Sequence, residues 1–208
     1  MQAVQVDRTS PLADVRWRAW VREHPILAAL AAGFVATQMA TIVGYFLNAV
    51  GLPQLNWPVV NGGLVAPGSS VGAQFAAGAF VHTIDGIVFA LLFAVLVWGK
   101  IPLPNTSIGN VTKGIIYSLV LAVISAGVLV PYVYFQKVGL DIFSFGLEGP
   151  LPQPGSIGQE VAYTDIGWRL PFAVLVWHLV YGFFLGALYD PSGDLATRTS
   201  PTAPPPAG

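Results

Sequence analysis

The chain has 208 residues, 54% of them hydrophobic and only 9% charged, with a formal net charge of −1 and a mean hydropathy of +0.66. Soluble domains carry roughly a quarter charged residues. The composition therefore argues against a soluble α/β enzyme and against a nucleic-acid binder with its basic patch, and it excludes disorder. The bilayer is the expected solvent, and the absence of cysteine removes disulfides, thiolate metal sites and cysteine nucleophiles.

Residues 1–25 read as a cytoplasmic arm. Four arginines and three acids interrupt them, so they do not form a secretory signal. Ser10-Pro11 has the pattern of a cap followed by a first-turn proline. Residues 11–23 then set Leu12, Val15 and Trp20 against Arg16, Arg18 and Arg22. This predicts either a short helix on the cytoplasmic face or a charged anchor for the first span.

Residues 26–190 form the predicted transmembrane domain. A helix needs about 20 mostly apolar residues to cross the hydrocarbon core. Four stretches qualify, at about 26–50, 75–98, 111–134 and 168–189. The expected architecture is an all-α membrane protein, an antiparallel bundle of four transmembrane helices. Loop 51–74 is uncharged and rich in glycine, proline and serine, so it is expected to dip into the interface or to be covered by protein. Loop 138–166 carries Asp141, Glu148, Glu160 and Asp165 and is expected to be solvated and irregular. The tail 191–208 is Pro-rich and cannot build a core.

Seven cations (Arg8, Arg16, Arg18, Arg22, Lys100, Lys113 and Arg198) fall on one side of these spans and only Lys137 and Arg169 on the other. The positive-inside rule then places both termini in the cytoplasm, in a multi-pass protein of a bacterial inner membrane. Trp17, Trp20, Trp98, Trp168, Tyr132, Tyr134 and Tyr189 fall near the expected interfaces, where amphipathic rings concentrate.

The second and fourth spans share a pattern. One reads His82-Thr-Ile-Asp85-Gly86-Ile-Val-Phe-Ala90 and the other His178-Leu-Val-Tyr181-Gly182-Phe-Phe-Leu-Gly186. Both run in the same direction, which points to a duplicated two-helix unit related by an axis along the membrane normal. The alternative is chance similarity between two apolar helices. Four-residue spacing lines up Gly78, His82, Gly86 and Ala90 on one helix and His178, Gly182 and Gly186 on the other. The first span offers Gly33, Thr37 and Thr41 with Ala36, Ala40 and Gly44, and the third Ser118, Ala122 and Ala126. Small residues at this spacing allow close helix approach in lipid, so Gly78, Gly86, Gly182 and Gly186 are assigned to helix packing.

In this order GFVATQMAT, VHTIDGIVFALLFAVL, KGIIYSLVLA and HLVYGFFLGALYD resemble a family of small four-helix bacterial integral membrane proteins of unknown function. The most specific element is the ending His178 to Tyr189. The resemblance covers roughly residues 26–190 apart from the two external loops. It implies a bundle and supplies no activity or cofactor.

Ionisable groups within a span need a reason. His82, Asp85 and His178 stand out, with His24 at the entrance to the first span. Four readings compete. In the first, His82–Asp85 and His178–Tyr181 are interhelical hydrogen-bonding pairs that fix register between close-packed helices. In the second, His82 and His178 ligate a haem iron, or one of them a chlorophyll-type magnesium. In the third, His82, Asp85 and His178 form a two-His-one-carboxylate metal site. In the fourth, Asp85 lies on a proton path.

The leading expectation is a non-enzymatic integral subunit of a larger membrane complex, of the electron-transfer or energy-converting kind. Its partners would be other integral membrane subunits and the lipid bilayer, with no nucleic acid and no cofactor. The alternatives are a haem- or metal-binding redox protein using His82 and His178, and a small proton conductor through Asp85.

Overall fold

A computed structural model of the chain describes residues 12–134 and 168–192. The expectations for Ser10-Pro11, for loop 138–166 and for the tail beyond Ser192 lie outside the described residues. Among those described every regular element is helical. Helix α1 spans Leu12–Glu23 and α2 spans Pro25–Phe46, continued by a 3₁₀ turn at Leu47–Val50. Helix α3 spans Trp57–Val65. Helix α4 spans Val71–Leu92 and continues through a π-type turn, Phe93–Val97, and a 3₁₀ turn, Trp98–Lys100. Helix α5 spans Ser107–Ile124 and runs on as a π-type segment, Ser125–Tyr134; α6 spans Arg169–Leu188.

Local chemistry sets several of these boundaries. Ser70 and Thr106 accept hydrogen bonds from the backbone N–H groups of Ala73 and Gly109, at 3.3 and 3.1 Å, capping α4 and α5. Pro25 begins α2, where a missing N–H costs nothing. Gly51 closes the turn after α2 at φ 78°, a conformation that favours glycine. Pro131 can donate no backbone hydrogen bond, and the outer part of α5 around it has π-type winding.

Among the described residues four helices are long and apolar enough to cross a membrane: Pro25–Val50, Val71–Lys100, Ser107–Tyr134 and Arg169–Leu188. Each overlaps one of the stretches expected from the sequence, and the chain is a multi-pass membrane protein by that criterion. The second starts earlier than expected because the Ser70 cap lies upstream of the apolar run.

One expectation changes. Loop 51–74 contains a helix, α3. Asn56 caps it by accepting from the Val59 N–H at 3.2 Å, and Pro58 sits in its first turn. Gly62 and Gly78 bring α3 against α4 so closely that a Cβ on Gly78 would overlap the Pro58 carbonyl oxygen. Gly62, which reads as loop punctuation, is part of the contact surface of a short helix.

Helix α2 packs against both α4 and α6, α5 packs along α6, and α3 lies on α4. The α2–α4 seam sets Gly33 against Ala90 and Thr37 against Gly86. The α5–α6 seam sets Asn110 and Gly114 against Gly186, and Gly114 and Ser118 against Gly182. On α2 the buried face is almost entirely small: Ala28, Ala29, Ala32, Ala36 and Ala40 are fully covered.

Helix α1 lies across the end where α6 stops and α5 starts. Trp17 donates its indole N–H to the Leu188 carbonyl at 2.7 Å, and Arg22 donates to the Ser192 carbonyl at 2.5 Å. Arg18 pairs with Asp190 at 3.2 Å and donates to the Ser107 hydroxyl at 2.7 Å. Asn110, fully buried, donates to Asp190 at 2.5 Å and accepts from the Trp98 indole at 2.9 Å. Lys113 runs over the Trp98 ring, 4.3 Å from its centroid, and donates to Asn105 at 2.7 Å.

Candidate functional site

A cavity lies toward the α3 end, inside the arc formed by α4, α6 and α5. Its volume is about 260 Å³. Helices α4 and α5 meet at the α1 end, where the Tyr117 hydroxyl donates to the Phe89 carbonyl at 2.9 Å and the Phe93 and Tyr117 rings stand 5.3 Å apart. Beyond that level they separate and become the two side walls. Helix α6 supplies the back with Trp177, His178 and Tyr181. Helix α3 closes the outer end with Trp57 and Asn61. There the Tyr134 hydroxyl donates to Asn61 at 2.9 Å, and the Tyr134 ring lies 5.6 Å from that of Trp57. The π-type winding of α5 sets Ser125, Leu129 and Tyr134 along one wall.

The structure brings His82 and His178 to this cavity, both buried. His82 approaches the Thr41 hydroxyl on α2 through Nε2 at 2.9 Å. With the Thr41 hydroxyl proton assigned to the Thr37 carbonyl, 2.7 Å away, His82 Nε2–H is the donor in that bond. His178 donates Nδ1–H to the Val174 carbonyl at 2.7 Å, one turn back on its own helix. One nitrogen of each ring is thus committed, and Nδ1 of His82 and Nε2 of His178 have no hydrogen-bond partner among the described residues. In a neutral imidazole such a nitrogen is an acceptor. Trp177 packs against both rings, with its centroid 5.5 Å from that of His82 and 4.9 Å from that of His178. Its indole N–H is buried without a hydrogen-bond partner among the described residues, and the neighbouring Cδ1 edge packs on Gly44 of α2.

Asp85 also lines the cavity, yet at its rim, exposed and without a hydrogen bond or ion pair among the described residues. The expected His82–Asp85 and His178–Tyr181 pairs do not form. His82 reaches across to α2 instead, and Tyr181 donates to the Gly86 carbonyl of α4 at 2.7 Å. Histidine and tyrosine do link helices, with partners that the sequence spacing could not name. His24 lies apart from the cavity, stacked 5.5 Å from Trp20.

The metal expectation fares differently. His82, Asp85 and His178 share a cavity, but no group of three or more His, Asp or Glu side chains among the described residues is placed to hold a metal ion. The physical reason is divergence: His82 is drawn toward α2, His178 toward its own backbone, and Asp85 toward the rim.

The four packing glycines are all at close helix contacts, Gly78 against α3, Gly86 against α2, and Gly182 and Gly186 against α5. Asp190 was not singled out by sequence reasoning. The available signal was its position directly after the last span, in reach of the arginines of the amino-terminal arm.

Comparison of the chain with protein-family models, with curated proteins and with solved structures gives no match in any of the three.

Proposed function

We propose that the chain is a non-enzymatic integral membrane subunit of a larger membrane assembly. In this reading the four long helices form an antiparallel bundle made from a duplicated two-helix unit, with both termini on the cytoplasmic side of a bacterial inner membrane, as in the four-helix family it resembles. The observation that carries the reading is the use of the polar side chains of the spans. His82, Tyr117 and Tyr181 each bond to a neighbouring helix, which is architecture and not a reacting constellation.

Two further features support it. The matching seams, Gly33 and Thr37 on Ala90 and Gly86 and then Gly114 and Ser118 on Gly186 and Gly182, are what a duplication produces. Helix α4 is also the span least covered by its own chain, only 22% of its apolar window being buried against 50% for α6. Its free apolar face suits contact with helices of other subunits as well as with lipid. The two histidines at one cavity favour an electron-transfer or other energy-converting assembly.

Extraction in a mild detergent through a tag on the chain, followed by size-exclusion chromatography and mass spectrometry, tests the proposal. The expected result is a particle larger than one chain that holds other integral membrane proteins at fixed stoichiometry. A monodisperse monomer under the gentlest extraction sinks it.

A further inference from the structure

We propose that the cavity between α4, α5 and α6 binds the ring of a lipid-borne, hydroxylated aromatic molecule, a quinol, whose hydroxyl groups donate to His82 and His178. This goes beyond assembly membership and rests on the cavity alone.

Size comes first. A space of about 260 Å³ holds one substituted ring with room to spare. The walls suit a flat ring, since Trp57, Phe89, Trp177 and Tyr181 present aromatic surface to it. The polar chemistry then selects the ligand. His82 has its Nε2–H on Thr41 and His178 its Nδ1–H on Val174, so each neutral ring offers a lone pair and no proton. A hydroxyl satisfies such a nitrogen; a quinone carbonyl, itself only an acceptor, does not. The same two bonds hold the imidazoles in place before any ligand arrives, which lowers the ordering cost of binding.

The entrance decides the source. Helices α4 and α5 part at the cavity, and the lining residues Asp85, Phe89 and Ile124 are exposed along that gap. The flanking positions, Ile84 and Val88 on α4 and Val128 on α5, are exposed and apolar. A ring entering there comes from the hydrocarbon region, and a tail on it remains in lipid.

Binding is measured by isothermal titration calorimetry on the full chain in phosphatidylcholine nanodiscs. The probes are anaerobic decyl-benzoquinol, its oxidised quinone and tail-less benzenediol. Saturable one-to-one binding of the decyl-quinol is expected, with the quinone weaker by about tenfold or more, as for loss of one hydrogen bond. Ile124→Trp, which fills the entrance from a lipid-facing position, should weaken quinol binding by a similar factor. Phe34→Trp, exposed on α2 and outside both the lining and the entrance, should not. His178→Phe removes one of the two acceptors and should reduce the preference for quinol over quinone. Unchanged helical circular dichroism and melting temperature keep each variant interpretable, and Ile124→Trp leaves every polar contact intact if His178→Phe fails to fold. A cavity occupied by water alone gives no saturable heat, which overturns the proposal. Equal affinity for quinol and quinone, or wild-type binding by Ile124→Trp, does the same. A tail-less diol that binds as tightly as the tailed probe overturns entry from the lipid.

Discussion

Asp190 shows how much one residue at a helix end can organise. Its carboxylate receives Arg18 of α1, Asn110 of α5 and the Ser192 backbone N–H, and it is 3% exposed. Removing one partner of a buried ion pair leaves an uncompensated charge, which costs more than the pair contributes. Asp190→Asn should therefore lower stability by about 3 kcal/mol, read as a reduced melting temperature in mild detergent. Arg18→Met combined with Asp190→Asn should recover most of the loss, because neither charge is then stranded. If the double variant is as unstable as the single one, charge burial is not the cause. Arg18 and Asp190 are far apart in sequence, and nothing in the spacing of either announces the other. His82 and His178 differ in this respect, because their repeat was visible in the chain while their partners, Thr41 and the Val174 carbonyl, were not.

At the scale of the element, glycine position matters more than glycine count. A Cβ on Gly186 would overlap the Asn110 carbonyl and the Val111 Cα, both backbone, so no side chain can move to make room. Gly186→Ala is expected to separate α5 from α6 at a cost of about 1–3 kcal/mol. Gly127 has nothing within 4 Å of such a Cβ, and Gly127→Ala should leave the melting temperature near that of the wild type. Equal melting temperatures for the two variants would refute the seam assignment. The four-residue spacing of the small residues made both seams legible in the sequence, since lipid offers no hydrophobic drive and close approach must supply the contact. Helix α3 was not legible. Its glycines carry low helix propensity, and the Gly62–Gly78 contact that holds it exists only once α4 is alongside.

For the whole molecule, orientation is the property with the widest consequence. The chain contains no cysteine, so single cysteines report cleanly on sidedness. Ser69→Cys lies in the exposed turn between α3 and α4, and Gly99→Cys in the exposed turn before α5. With both termini inside, a membrane-impermeant maleimide added to intact cells should label Ser69→Cys at once and Gly99→Cys only after permeabilisation. The reverse pattern would invert the orientation inferred from the cations. The location of α1 is consistent with that inference, because its bonds to Leu188, Asp190 and Ser192 gather the amino-terminal arm and the end of α6 on one side.

The sequence by itself determined the solvent, the four long apolar helices and the small-residue faces along which they pack. Those properties depend on composition and on the 3.6-residue period, both local to the chain. Tertiary structure decided the partners of His82 and Tyr181, the burial of Asp190, the helix hidden in a glycine-rich loop and the cavity itself. Each of those depends on distances between segments remote in sequence. Asp85 illustrates the division: its place within an apolar span is plain from the residues, but only the parting of α4 from α5 puts it at the rim of the cavity and not in a bonded pair.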